Sequence, residues 1–250
     1  MEKIGFIART RGELDAFKEG VIIIPTGTTE QHGPHLPVGV DSFLAETIAL
    51  HAAKELSTRL PVLAAPTLTY GNSHHHLSFG GTISLRSETL IAVLKDIGMS
   101  LAESGFRKLF FLNSHGGNDE AARLVVRDLA GEGNCAAATS YWTVAWDALK
   151  EAGALDSGRV PGHAGGFETS LMLYLYGELV QWANRPPLRE DANPKEEPAR
   201  RLFVQLPGEG VGKDGYSDDA RHASAAKGEQ YFQIIVSQVA QAVEEFYRRI

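Results

Sequence analysis

The sequence predicts an α/β protein whose mostly parallel central sheet is flanked by helices. Three observations carry this. Short apolar runs of strand length alternate with longer segments of helical period over the first 140 residues, the pattern of successive β–α–β units. The runs are apolar on consecutive positions rather than on alternate ones, as in parallel strands covered on both faces. Two polar loops, at 28–41 and 113–118, follow directly on such runs. Right-handed crossovers bring the loops after parallel strands to one sheet edge, where sites form in open α/β sheets.

Taken in order, residues 10–19 read as a short amphipathic helix carrying Leu14 and Phe17, closed by Gly20. The run Val21-Ile22-Ile23-Ile24, bounded by Pro25 and Gly27, reads as a buried first strand over 21–25. From Ser42 to about Thr58 the spacing of Phe43, Leu44, Ile48, Leu50 and Leu56 suits a helix, with His51 an ordinary histidine on its face. A second strand over 61–65 stops at Pro66, and a loop rich in Gly, Asn and His fills 70–82. Helix 87–104 has Ser87 as its expected N-cap and Leu90, Val93, Leu94, Ile97 and Leu101 at helical period. A third strand, 108–112, a helix, 119–131, and a strand near 134–140 complete another β–α–β step.

A helix begins at Trp142 and Trp146 and ends near Gly153. The glycine-rich loop 161–166 feeds Glu168 and an apolar helix at 171–176. Residues 184–219 hold five of the eleven prolines and read as a long excursion around the core. The last helix, 224–249, shows Ile235, Val239, Val243 and Phe246 on one face, with Ile250 at its end. A single domain over residues 1–250 is expected.

Composition narrows the function. The 43% hydrophobic and 22% charged fractions are ordinary for a globular protein. Net charge is −7 without any Lys/Arg block, which argues against a nucleic-acid partner or an anionic membrane surface. Cys135 is the only cysteine, so no intrachain disulfide forms, and its apolar surroundings mark it as a small core residue. The segment Met1-Glu2-Lys3-Ile4 lacks the basic and apolar regions of a signal peptide, and no apolar run reaches membrane-span length. A cytoplasmic protein is expected.

The chemistry concentrates in Thr28-Thr29-Glu30-Gln31-His32-Gly33-Pro34-His35-Leu36-Pro37, with Asp41 just beyond. Two glycines and two prolines, Gly33, Pro34, Pro37 and Gly39, rule out a regular helix, so this is a loop leaving the first strand's C-terminal end. Glu30 and His32 alternate as in an extended segment, and Asp41 returns where the next helix starts. Topology places His115, after the third strand, beside them. Carboxylates and imidazoles converging on one point are what a divalent ion such as zinc requires. The alternative is a polar surface loop with helix caps.

Glu30-Gln31-His32-Gly33, Asp41, Asn113-x-His115-Gly116-Gly117-Asn118 and His163-Ala-Gly-Gly-Phe-Glu168-Thr169-Ser170, in this order and spacing, resemble the creatininase (creatinine amidohydrolase) family. The resemblance covers roughly residues 20–180 and extends weakly to Ala223-Ser-Ala-Ala-Lys-Gly228. It implies a three-layer α/β subunit, commonly a homo-hexamer, with two divalent metal ions, zinc first and manganese or iron as alternatives. Position by position, Glu30 and His115 would bind one metal, His32 the other, and Asp41 would bridge both. Such a pair of cations yields hydroxide near neutral pH and stabilises a tetrahedral oxyanion. His163 matches a histidine thought to protonate the leaving nitrogen.

Two departures matter. Where creatininase has a ligating glutamate, this chain has Gly117. Glu168 is therefore expected to complete the second metal site and to share in catalysis; otherwise it is a first-turn acid favoured by the helix dipole. Trp142 keeps its family position, but Arg159-Val160-Pro161 stands where a second substrate-covering tryptophan is usual. Arg159 points towards a carboxylate or phosphate on the substrate, and creatinine itself is an unlikely substrate. Trp142, His76, Gly116, Gly117 and Arg159 are expected at the substrate, whereas His74 and His75 read as loop residues.

The leading expectation is a metal-dependent amidohydrolase cleaving a C–N bond of a small cyclic amide, formamide or related compound. A peptidase of the mycofactocin-maturation type and a non-catalytic metal- or ligand-binding homologue are the alternatives. A nucleotide-binding module is disfavoured, since neither a Lys-Ser/Thr P-loop nor G-x-G-x-x-G occurs.

Overall fold

The structure is a computed structural model that describes residues 3–185 and 214–250. Four strands form one parallel sheet: β1 (Val21–Thr26), β2 (Val62–Ala64), β3 (Lys108–Asn113) and β4 (Cys135–Ser140), in the order β2-β1-β3-β4. The chain runs from β1 outward to β2, then returns to pair β3 on the other side of β1. That reversal is a topological switch point, and the crevice outside the carboxyl ends of β1 and β3 is where ligands bind in such sheets. The expected juxtaposition of the loops after the first and third strands is thus observed.

Among the described residues eight α-helices surround the sheet: α1 (Arg11–Leu14), α2 (Val40–Leu56), α3 (Ser87–Glu103), α4 (Asp119–Gly131), α5 (Tyr141–Val144), α6 (Trp146–Glu151), α7 (Gly166–Leu175) and α8 (Ala225–Arg249). Successive strand residues point to opposite faces, and here both faces are dry. Val21, Ile23, Phe110 and Leu112 pack with α2, α7 and α8. Ile22, Ile24, Leu109 and Phe111 pack with α3 and α4. The result is three layers, helices–sheet–helices, and explains why the strands read as uninterrupted apolar runs.

Helices α7 and α8 approach closely at Gly228, where an added Cβ would lie 1.9 Å from the carbonyl oxygen of Ser170. This requirement accounts for the glycine at the end of the short Ala223–Gly228 resemblance. Ser224 caps α8 by accepting from the Lys227 N–H at 3.3 Å, while its own N–H donates to Ser170 Oγ at 3.2 Å.

Several local expectations are corrected. The helix expected over 10–19 is one α turn, capped by the Thr10–Glu13 box, followed by a 3-10 turn at Asp15–Phe17. Ser87 is the first residue of α3 rather than its cap, because its hydroxyl accepts from Asn72 Nδ2 at 2.8 Å. The helix expected from Trp142 to Gly153 is broken in two at Ala145. Helix α7 starts at Gly166, five residues earlier than the apolar stretch alone indicates. Cys135 opens β4 and is half-buried, not a core residue. Most of the 184–219 excursion lies outside the described residues. No helix among the described residues is long and apolar enough to cross a membrane.

Candidate metal centre

Three loops and two helix starts converge at the carboxyl edge of the sheet. The loop after β1 carries Glu30 and His32, the first turn of α2 carries Asp41, and the loop after β3 carries His115. The loop before α7 carries His163, and the first turn of α7 carries Glu168. All six are buried. His115 Nδ1 lies 3.2 Å from Glu30 Oε1 and 3.5 Å from Asp41 Oδ2. His32 Nε2 lies 3.7 Å from Asp41 Oδ1 and 3.8 Å from Glu168 Oε2. Asp41 therefore turns one oxygen to each histidine.

Each imidazole is aimed by a backbone carbonyl. His115 Nε2 donates to Asn72 O at 2.8 Å, which leaves Nδ1 facing the carboxylates. His32 Nδ1 donates to Glu30 O at 3.1 Å, which leaves Nε2 facing Asp41 and Glu168. This fixing of the remote nitrogen is how metal-binding histidines are oriented. Asn118 ties the loop after β3 to the loop after β1 and to the 70–82 loop: Nδ2 donates to Gly27 O at 3.1 Å, and Oδ1 accepts from the Asn72 N–H at 3.0 Å. Asn113 Oδ1 accepts from the His115 N–H at 3.1 Å, completing the frame.

Glu30 Oε2, His32 Nε2 and Asp41 Oδ2 are buried without a hydrogen-bond partner. Buried polar atoms are normally satisfied, and a buried carboxylate left so needs a cation. Three groups have ligand atoms within 4.8 Å of one another: Glu30–His75–His115, Glu30–His32–His163 and His32–Asp41–Glu168. The donor set, carboxylate oxygen with imidazole nitrogen, matches zinc, manganese or iron.

The protonation equilibria express the same hunger for positive charge. Burial would lower the His32 pKa, yet Asp41, Glu168 and Glu30 outweigh it and lift the imidazole to about 10. His115 is likewise raised, by Glu30 and Asp41 against the cost of burial. Burial would raise Glu30, but His115 leads the forces that hold it at about 2. Asp41 is lowered because His32 and His115 overcome its burial. Glu168 goes the other way: burial dominates and raises it. Cations entering here would displace protons from the imidazoles, so metal affinity falls as pH falls.

His163 Nε2 donates to Gln31 O at 2.9 Å, and its Nδ1 lies 3.5 Å from Glu30 Oε1. Burial and the neighbouring His32 lower its pKa to about 3, so it stands neutral at pH 7. His76 Nε2 lies 3.4 Å from Glu30 Oε1, and its Nδ1 is 2.8 Å from Gln31 Nε2. His35 turns away to Thr169 Oγ1 at 2.9 Å and serves packing.

The cluster forms the floor of a cavity of about 670 Å³ lined in part by His76, Gly116, Gly117, Trp142, Pro161 and Gly162. One wall, from α3 and α4, sets Leu90, Ile91, Ala121 and Leu124 beside Ser87 and Glu120. Arg159 does not line this cavity. Its backbone N–H donates to Asp218 Oδ2 at 3.1 Å and its side chain is exposed, so the expected guanidinium at the substrate is not found. Gly117 is required here, since a Cβ would lie 2.2 Å from Asn72 O and 2.6 Å from His115 Nε2. His75, read from sequence as a loop residue, lines the cavity and joins a ligand group. The His74–His76 triplet was its only signal. The parts of Asn72 and Gln31 that aim imidazoles are backbone carbonyls, which no side-chain pattern reveals.

Fold and site together describe an α/β protein with a carboxylate–imidazole centre at the carboxyl edge of its sheet. The family model for creatinine amidohydrolase matches residues 9–243, and the chain belongs to the creatininase family. It is 41% identical over 164 residues to a mycofactocin precursor peptide peptidase of Mycobacterium ulcerans, covering 64% of this chain and 60% of that relative. With the protein of the same description from Mycobacterium tuberculosis, strain H37Rv, identity is 35% over 89% of this chain and 84% of the relative. With the creatinine amidohydrolase of Pseudomonas putida it is 31% over 90% and 89%. Among solved structures, a creatininase superposes with a TM-score of 0.78 at 29% identity, covering 98% of this chain and 99% of the other. A manganese form of creatininase gives 0.77 at 29%, covering 98% of each.

Proposed function

We propose that this chain is a dinuclear metal-dependent amidohydrolase that cleaves the C–N bond of a peptide-sized substrate. The observation that carries the reading is the buried, cation-seeking cluster of Glu30, His32, Asp41, His115 and Glu168 at the floor of a cavity of about 670 Å³. Glu30 and His115 would hold one ion and His32 and Glu168 the other, with Asp41, whose two oxygens face His32 and His115, shared between them. Zinc is the first choice and manganese or iron the alternatives. Bound divalent ions supply Lewis acidity, acidifying water and polarising a carbonyl oxygen.

The chain's own residues do the rest. Neutral His163, pinned through Nε2 to Gln31 O, keeps Nδ1 available to take a proton from water and return it to the departing nitrogen. Trp142 and the aliphatic side chains of Leu90, Ile91 and Leu124 enclose the substrate and exclude water. A cavity within the usual range of about 300–1,000 Å³ for small-molecule sites, bounded on one side by aliphatic side chains, supports a substrate that extends beyond a single small ring. The peptidase relatives favour the same choice over the small cyclic amide. Glu168 at the cluster answers the missing carboxylate at Gly117, which weakens the case for a non-catalytic homologue. Assembly into a homo-oligomer, hexameric by family resemblance, belongs to this proposal and is measurable by sedimentation.

The test is a comparison of zinc- and manganese-loaded protein on creatinine, a formamide and short peptides with apolar C-terminal residues. Peptide turnover is expected in the ordinary range, kcat about 1–10³ s⁻¹, with creatinine kcat/KM at least ~100-fold lower. The reason is that the second aromatic cover is replaced by Arg159, whose side chain faces solvent. Creatinine turnover at ordinary kcat, with KM of about 1 μM–1 mM, would overturn the substrate assignment.

A further inference from the structure

The histidine triplet 74–76 opens a 3-10 turn, His74–Phe79. With three residues per turn, consecutive side chains point about 120° apart, so the three imidazoles have three different surroundings. His74 is exposed, with Nδ1 2.9 Å from Ser84 Oγ. His76 is buried and engaged on both nitrogens, with Gln31 and with Glu30. His75 lies between, half-buried, and lines the cavity over the cluster. Its ring is stacked parallel to that of His115, with centroids 5.8 Å apart and planes 10° apart. A nitrogen of His75, a nitrogen of His115 and an oxygen of Glu30 lie within 4.8 Å of one another.

We propose that His75 is a further protein ligand of the first metal, completing a set of Glu30, Asp41, His75 and His115. The inference rests on the dinuclear reading above and adds an asymmetry to it. Sites with four protein ligands hold zinc in a closed shell, whereas sites with three keep a position open for water or substrate. The first ion then has four protein donors, two of them imidazoles. The second has three: His32, Asp41 and Glu168. With the larger donor set, the first ion is the tightly held one and the second the exchangeable one. Among the described residues, the ligand group that holds Glu30 and His115 takes in His75 rather than His76.

The experiment is a competition titration of the full chain with zinc and with cobalt against a chelator, for wild type, His75→Ala, His75→Gln and His74→Ala. Wild type is expected to bind two ions in separate steps. His75→Ala is expected to weaken the tighter step at least ~10-fold, the lower end of what disrupted metal shells lose. The visible absorption of the tighter cobalt should change with it, and added imidazole should restore it in His75→Ala. His74→Ala is expected to leave both steps as they are, which controls for disturbance of the loop. If both His75 variants bind two ions with unaltered affinities and spectra, the assignment fails while the dinuclear reading stands. If wild type binds one ion or none, both fail.

Discussion

Asp41→Ala is expected to empty both metal positions. Asp41 sits in the first turn of α2, and its two oxygens face different histidines, Oδ1 towards His32 at 3.7 Å and Oδ2 towards His115 at 3.5 Å. Removing it leaves His32 with Glu168 on one side and His115 with Glu30 on the other, each ion short of its shared carboxylate. Losing a mere orienting partner costs about 10–100-fold in metal affinity, so losing the bridge should cost more than ~100-fold at each position. After dialysis, elemental analysis should find close to no bound metal in the variant, and amidase activity should vanish with it. Two ions retained at wild-type affinity would falsify the bridging role.

Glu168→Gln should separate the two positions. The substitution keeps the shape and a neutral oxygen but removes a buried charge 3.8 Å from His32 Nε2. The second ion loses one of its two carboxylates, and its affinity should fall at least ~10-fold with activity falling in parallel. The first ion, held by Glu30, Asp41 and His115, should remain. Its contacts are unchanged, because Glu168 belongs to the group containing His32 and Asp41 rather than to that of His115. The backbone N–H of Ala164 donates to Glu168 Oε2 at 2.6 Å, a contact that a glutamine oxygen also accepts, so the loop carrying His163 stays in place. Full metal occupancy with only the rate reduced would instead make Glu168 a proton carrier.

How much of this was legible beforehand follows from which forces act locally. The inner strands were readable because they are buried on both faces: Val21 to Ile24 alternate between two helical layers and are apolar throughout. That the 28–41 loop and His115 share one sheet edge was legible from right-handed crossovers between parallel strands; the direct β1–β3 pairing that sets them side by side was not. The phase of the histidine triplet was not legible, because whether His75 or His74 faces inward depends on where the 3-10 turn starts. The orientation of Arg159 was not legible for a similar reason. Its position in sequence matched a residue at the substrate, but Asp218, fifty-nine residues later, takes its backbone N–H and the side chain is left outside. Gly117 looked like a deficit. It is a steric requirement set by Asn72 and His115, and the carboxylate proposed in its stead, Glu168, comes from the first turn of α7.

The central claim is that five buried side chains hold two ions across Asp41. Anomalous scattering from crystals of the zinc-loaded protein tests it most directly. The account predicts two peaks on either side of the Asp41 carboxylate, one between Glu30 and His115 and the other between His32 and Glu168. A single peak, or two peaks of which only one touches Asp41, would contradict it.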